Sequence, residues 1–155
     1  MPVKTLISAL ALLWSHTLWA QPNPIQCLQA AAQYHGVHPY LLLAVLSVES
    51  GLNPKAVGKN TNGTYDLGLG QINSMHLPEL QRHGVHARHL MEPCKATYVT
   101  AWYLRKGLDR HGRNWFGAAS YHSTTPVHNA RYQRLLRSEL ERRGIAPNTV
   151  WRPVR

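Results

Sequence analysis

The run Leu41-Leu42-Leu43-Ala44-Val45-Leu46 constrains this chain most. Pro39 ahead of it suits the first turn of a helix, and Gly51 and Pro54 suit its end. Wound as a helix, the run is apolar on every side, so other elements must wrap it. It is far too short to cross a bilayer, which takes roughly 20 apolar residues. The 155 residues, 44% hydrophobic and 15% charged, supply enough apolar material for one compact domain and too much for a disordered chain. No internal repeat or low-complexity tract is present, which excludes fibrous and solenoid architectures.

The wrapping elements also read as helices. Leu28, Ala31, Ala32 and His35 recur at helical spacing, and Gly36 supplies a stop. Pro93 opens another helix, with Thr97, Ala101, Leu104 and Leu108 on one face and an end near His111-Gly112. Asn114 to Tyr121 forms a shorter one. Thr125-Pro126 reads as an N-cap followed by proline, and the stripe Tyr132, Leu135, Leu136 and Leu140 closes at Gly144. Asn53 to Thr64, rich in Asn, Gly and Lys, reads as a surface loop leading into Asp66-Leu67-Gly68-Leu69-Gly70. No strand-like alternation competes, so the expected fold class is all-α. Residues 145–155, with two prolines and two arginines, read as a short, basic, irregular tail.

The first 20 residues stand apart. Met1 to Lys4 carries one positive charge and Thr5 to Trp14 is an apolar run of signal-peptide length, which predicts cleavage after Ala20 and no membrane span afterwards. Residues 21–144 then form the domain. The formal net charge is +10, and removing one Lys leaves about +9 on about 135 residues, a basic surface suited to anionic polymers. In an exported chain the even pair Cys27 and Cys94 reads as one disulfide.

Six of the seven acidic residues sit among polar neighbours; Glu49 closes the apolar helix. It shares a helical face with Leu42, Val45 and Leu46. Burial there disfavours the charged carboxylate and prepares a proton donor. The pattern equally allows a helix-terminal Glu turned to solvent.

Three segments carry a more specific message: Val48-Glu49-Ser50-Gly51-Leu52-Asn53-Pro54, Gly68-Leu69-Gly70-Gln71-Ile72-Asn73 and Ala118-Ala119-Ser120-Tyr121. In this order and spacing they resemble the lytic transglycosylases of the soluble, goose-lysozyme-like type. More narrowly, they resemble the small specialised members that accompany conjugation (type IV) and type III secretion machines. The resemblance spans roughly Ile25 to Tyr121 and takes in both cysteines.

It implies a lysozyme-like single domain in the periplasm that cleaves the β-1,4 bond between N-acetylmuramic acid and N-acetylglucosamine, without a cofactor or metal. The product is a 1,6-anhydromuramoyl end, and the wall opens locally for a trans-envelope apparatus. Glu49 matches the family's single acid/base and Ser50 the small hydroxyl beside it. Gly68, Leu69, Gly70, Gln71, Ile72 and Asn73 match the substrate-cleft motif, in which glycines admit sugar and the Gln71 amide binds it; a tight turn is the structural reading of the same residues. Tyr121 matches a tyrosine near the catalytic carboxyl, with a core aromatic as its alternative. His122 stands where the family usually has Asn.

Asp66 reads as a brace for the turn before Gly68; as a second carboxylate it would instead activate water and make the enzyme a lysozyme-type muramidase. A non-catalytic wall-binding module is the remaining alternative. His83, His86 and His89 do not converge on a helix face and predict no metal site. Arg131, Arg134, Arg137, Arg142 and Arg143 suggest contacts with anionic wall peptides or a secretion-system partner rather than nucleic acid.

Overall fold

The computed structural model describes residues 27–153. The expected signal peptide, residues 1–20, lies outside them. The central apolar run lies on α2 (Pro39–Ser50), entered at His38, whose Nδ1 accepts a hydrogen bond from the Tyr40 amide, and closed by Gly51 in the left-handed conformation. Leu41, Leu42, Ala44, Val45 and Leu46 are all buried. Three helices supply the cover: α2 packs against α1 (Leu28–His35), α4 (Pro93–His111) and α6 (Pro126–Arg142). The short α5 (Trp115–Ala119) lies between α4 and α6, capped by the Asn114 side chain, which accepts from the Gly117 amide.

Cys27 and Cys94 form the expected disulfide, with Cα atoms 5.2 Å apart, joining the start of α1 to the start of α4. The two cysteines are 67 positions apart, and closing such a loop is worth on the order of 4 kcal/mol by chain entropy.

The segment read as a surface loop, Asn53 to Thr64, contains the first strand of a small antiparallel sheet whose other two strands follow it. Strands β1 (Val57–Lys59), β2 (Tyr65–Leu67) and β3 (Ile72–Asn73) pair in the order β1-β2-β3, with Gly58 opposite Asp66 and Asp66 opposite Asn73. Strands of two or three residues are too short to show alternation, which is why the pattern hid them. Beyond the sheet come a 3-10 turn (Ser74–His76), the short helix α3 (Leu77–Gln81) and a second 3-10 helix (Ala87–Met91). His86 and His89 form a reciprocal capping box on that second 3-10 helix.

The tail expected to be irregular folds back. Residues Pro147–Trp151 form a 3-10 helix, Val150 is buried, and Trp151 meets Trp115 edge-on with ring centroids 5.1 Å apart. Its hydrophobic residues, overlooked beside two prolines and two arginines, complete the cover over the main core. On α6, Tyr132, Leu136 and Leu140 are buried as expected, but Leu135 is exposed, and Thr125 makes no side-chain cap.

Buried side chains form two clusters. The large one is centred on α2; the small one consists of Ile72, Leu80, Leu90 and Val99, between the sheet and α4. Tyr121 packs against both and marks the seam where the cleft opens.

Candidate active site

Glu49 lies in the last turn of α2 with its carboxyl at that seam. Leu42, Val45 and Leu46 behind it are buried, so the carboxylate loses hydration and its pKa rises from 4.5 to about 7. The Tyr132 hydroxyl opposes the shift by donating a 2.5 Å hydrogen bond to Glu49 Oε1, and the negative charge of Asp66 adds a smaller upward push. With Oε1 accepting from Tyr132, Oε2 is the oxygen left available to carry a proton. Tyr132 itself is buried, and its own hydroxyl is held firmly protonated by that burial and by Glu49.

A cavity of about 600 Å³ opens in front of Glu49, walled by Asn60, Asp66, Gln71, Asn73 and Tyr121 among others. A second hollow of about 220 Å³, walled by Val48, His128, Arg131 and Tyr132, meets the first at Glu49 and His122. Glu49 thus lines both hollows. A slightly larger cavity, about 680 Å³, lies between α1 and the C-terminal 3-10 helix, but no acidic side chain lines it.

The structure separates the sequence-predicted residues into two groups. Gln71, Ile72, Asn73 and Tyr121 line the cavity with Glu49. Ser50, Gly68, Leu69 and Gly70 stand behind it and shape it. The Ser50 hydroxyl donates to the Leu69 carbonyl at 2.8 Å, tying α2 to the loop, and Leu69 is wholly buried. The glycines admit protein, not sugar. A Cβ on Gly68, at φ +67°, would fall 1.7 Å from the Leu90 carbonyl oxygen, and one on Gly70 would fall 2.0 Å from Thr100 Oγ1 and 2.7 Å from the Tyr121 hydroxyl.

Gln71 adopts a left-handed φ of 47°, and its amide nitrogen donates to the carbonyls of Gly68 and Ala56. Its amide nitrogen therefore braces the wall, while the residue itself lines the cavity. The Tyr121 hydroxyl donates to the Gly70 carbonyl at 2.6 Å, not to Glu49. Tyr121 lies beside Glu49 in the cavity and feels its charge, but the hydrogen bond to Glu49 comes from Tyr132. Tyr132 reads as one more residue of an apolar stripe, and the signal that separates it is chemical: a phenol among leucines needs a buried acceptor.

Asp66, read as a brace for the turn before Gly68, braces the sheet: Oδ1 accepts from Asn73 Nδ2 at 2.8 Å and Oδ2 from Asn60 Nδ2 at 3.0 Å. The α6 arginines are also partly engaged. Arg137 lies over the Trp115 ring, and Arg142 and Arg143 both pair with Glu139. Among the described residues no group of His, Cys, Asp and Glu side chains is arranged to hold a metal ion, and no helix is long and apolar enough to cross a membrane.

Similarity to known proteins agrees with the groove. Invasion protein IagB of Salmonella typhimurium is 33% identical over 115 residues, covering 74% of this chain and 69% of the relative. Protein IpgF of Shigella flexneri is 32% identical over 100 residues, covering 64% and 66%. The X polypeptide of Escherichia coli is 33% identical over 98 residues, covering 63% and 58%. The family described as Transglycosylase SLT domain matches residues 26–138, a span that holds Glu49, the sheet, Tyr121 and Tyr132. By that match the chain belongs to the SLT transglycosylase family, and it is a lytic transglycosylase of peptidoglycan.

Proposed function

We propose that Glu49 is the single acid and base of this enzyme, and that the groove on either side of it holds a glycan strand. The observation that carries the reading is a carboxyl with a pKa of about 7, backed by an apolar helix and open to a cleft. Protonated Glu49 Oε2 donates to the glycosidic oxygen. The bond from that oxygen to C1 of N-acetylmuramic acid breaks, and the N-acetylglucosamine leaves with its hydroxyl restored. The acetamido oxygen of the substrate stabilises the positive charge at C1. Glu49, now a carboxylate, takes the proton of the C6 hydroxyl, and O6 closes on C1 to give the 1,6-anhydro ring. The proton returns to Glu49 and no water is consumed. This differs from hydrolysis by paired carboxylates. Tyr132 fixes which oxygen carries the proton, and Gln71, Ile72, Asn73 and Tyr121 form the wall against which the strand lies.

Asp66 in the same cavity is the observation that favours a muramidase. Both its oxygens already accept amide hydrogen bonds, which supports the bracing role instead. We further assign residues 1–20 to a cleaved signal peptide, residues 21–144 to the catalytic domain, and the periplasm as the place of action. There the enzyme opens the wall locally for a type III or type IV secretion apparatus. The name of one relative, invasion protein IagB, supports that setting.

The test is mass spectrometry of purified peptidoglycan digested by the mature protein, with Glu49→Gln beside it. Products one water lighter than hydrolytic muropeptides are expected, with Glu49→Gln slower by at least about 10²- to 10⁴-fold. Hydrated reducing ends would mean a muramidase. Undiminished cleavage by Glu49→Gln would end the Glu49 reading, and no products from either protein would favour the wall-binding module.

A further inference from the structure

His122 stands at the junction of the two hollows that meet at Glu49. Its imidazole lies flat on the phenol of Tyr132, with ring centroids 4.9 Å apart and planes within 6° of parallel. It is the only aromatic ring stacked on Tyr132 among the described residues. Tyr132 is buried in the main core, while His122 is exposed and lines both hollows. The imidazole therefore covers one face of the Tyr132 ring. It makes no side-chain hydrogen bond to another described residue, so stacking accounts for its placement.

Resting on the assignment of Glu49 as the acid, we propose that His122 is a positioning residue: its ring clamps the Tyr132 phenol in the plane where the hydroxyl meets Glu49 Oε1, and thereby directs the Glu49 proton to Oε2. Parallel aromatic faces restrict the rotation of the phenol about its side-chain bonds, and a proton donor misplaced by about 1 Å can lose on the order of 10²-fold in rate. The groups facing the imidazole are His128 and Arg131 from α6, Asp66 from β2 and Glu49 from α2. Burial, and then the positive charges of His128 and Arg131, hold His122 below the usual histidine range. It is thus a neutral plate at neutral pH, and its contribution is shape rather than charge.

The experiment compares His122→Ala, His122→Asn and His122→Phe, each alone and with Tyr132→Phe, in the mature protein. Release of anhydro ends is followed from pH 5 to 9, with thermal melts to confirm folding. Because the Tyr132 hydrogen bond holds the Glu49 pKa down, Tyr132→Phe moves the alkaline limb of kcat to higher pH. His122→Ala and His122→Asn should lower kcat about 10-fold with KM within about twofold, and move the limb in the same direction. His122→Phe restores a flat ring and should keep both rate and limb near wild type. In the Tyr132→Phe background, His122→Ala should add almost nothing.

Losses that add in the double variant, or an effect on KM alone, would overturn the proposal in favour of a direct substrate contact. A limb moved to lower pH would overturn it in favour of an imidazole that merely keeps water from Glu49. Failure of the underlying reading shows separately: Glu49→Gln then retains cleavage, whereas an inactive Glu49→Gln beside an unaffected His122→Ala removes only the role given to His122. Should His122→Ala melt early, His122→Asn carries the same comparison.

Discussion

Glu49 reaches the cleft from a helix whose other faces are leucine, valine and alanine, and it receives one hydrogen bond, from the Tyr132 hydroxyl. Asp66 reaches the same cavity from the opposite wall, on a three-residue strand, and receives two, from Asn60 and Asn73. The two carboxyls share a solvent space, yet their supports differ in kind. The apolar helix makes the charge on Glu49 costly and leaves one of its oxygens open to the groove. The polar sheet engages both oxygens of Asp66 and uses them as cross-braces between β2, β3 and the β1–β2 turn. On the proposed reading, one wall moves a proton and the other keeps its shape. The size of that contrast can be measured from either wall.

The largest expected effect comes from breaking the sheet wall where it meets the small cluster. Gly68→Ala would place a methyl 1.7 Å from the Leu90 carbonyl at a φ of +67°, against a residue that is wholly buried. Overpacking and left-handed strain together predict a loss of about 3 kcal/mol or more in urea unfolding, with cleavage lost alongside. Gly51→Ala is the matching change on the helical wall. It has a φ of +62° but nothing within 4 Å, so only the conformational cost of about 1 kcal/mol applies. Equal losses at the two positions would show that conformation, not close approach to Leu90, governs Gly68.

The helical wall should reveal itself through pH. In the unfolded chain Glu49 releases its proton near 4.5, and in the folded protein only near 7. Between these values the folded state binds more protons than the unfolded one, so stability falls as pH rises. The contribution is neutral below about pH 4.5 and fully unfavourable above the folded pKa, by about 3 kcal/mol. Glu49→Gln keeps an acceptor for Tyr132 and removes the charge. It should therefore match wild type at pH 4 and exceed it by up to about 3 kcal/mol at pH 8, in denaturant melts at the two pH values. A variant no more stable at pH 8 would mean that Glu49 ionises freely, and the contrast with Asp66 would collapse.

How much of this was legible follows from the length of each signal. Helices α2 and α4 carry enough turns for apolar periodicity and terminal proline and glycine to locate them, and α2 delivers Glu49 with its apolar backing. The sheet has strands of two and three residues, below the length at which alternation shows, so Asp66 was placed before a turn but not in a ladder. Tyr132 lies 83 residues from Glu49, and helical spacing on α6 says only that it faces inward; its partner depends on how α6 crosses α2. Leu69 and Gly70 were visible as a motif, yet sequence order does not reveal that they face the protein rather than the groove. Trp151 was hidden by its neighbours, because two prolines and two arginines outweigh one indole in any composition argument.

Asp66→Asn should leave the chemistry least changed, and it sharpens the contrast most. The new amide can accept from only one of Asn60 and Asn73 without a donor facing a donor, so about one hydrogen bond is lost, or about 1 to 2 kcal/mol in thermal melts. The chemistry should survive: anhydro ends still form, because no step passes through Asp66. Its charge pushes the Glu49 pKa upward, so removing it should shift the alkaline limb of kcat slightly to lower pH. That is opposite in sign to the shift expected from Tyr132→Phe, which removes a hydrogen bond that holds the pKa down. A folded Asp66→Asn protein that makes no product at all would mean that Asp66 takes part in the reaction. Both walls would then be catalytic, and the two-carboxylate scheme would return.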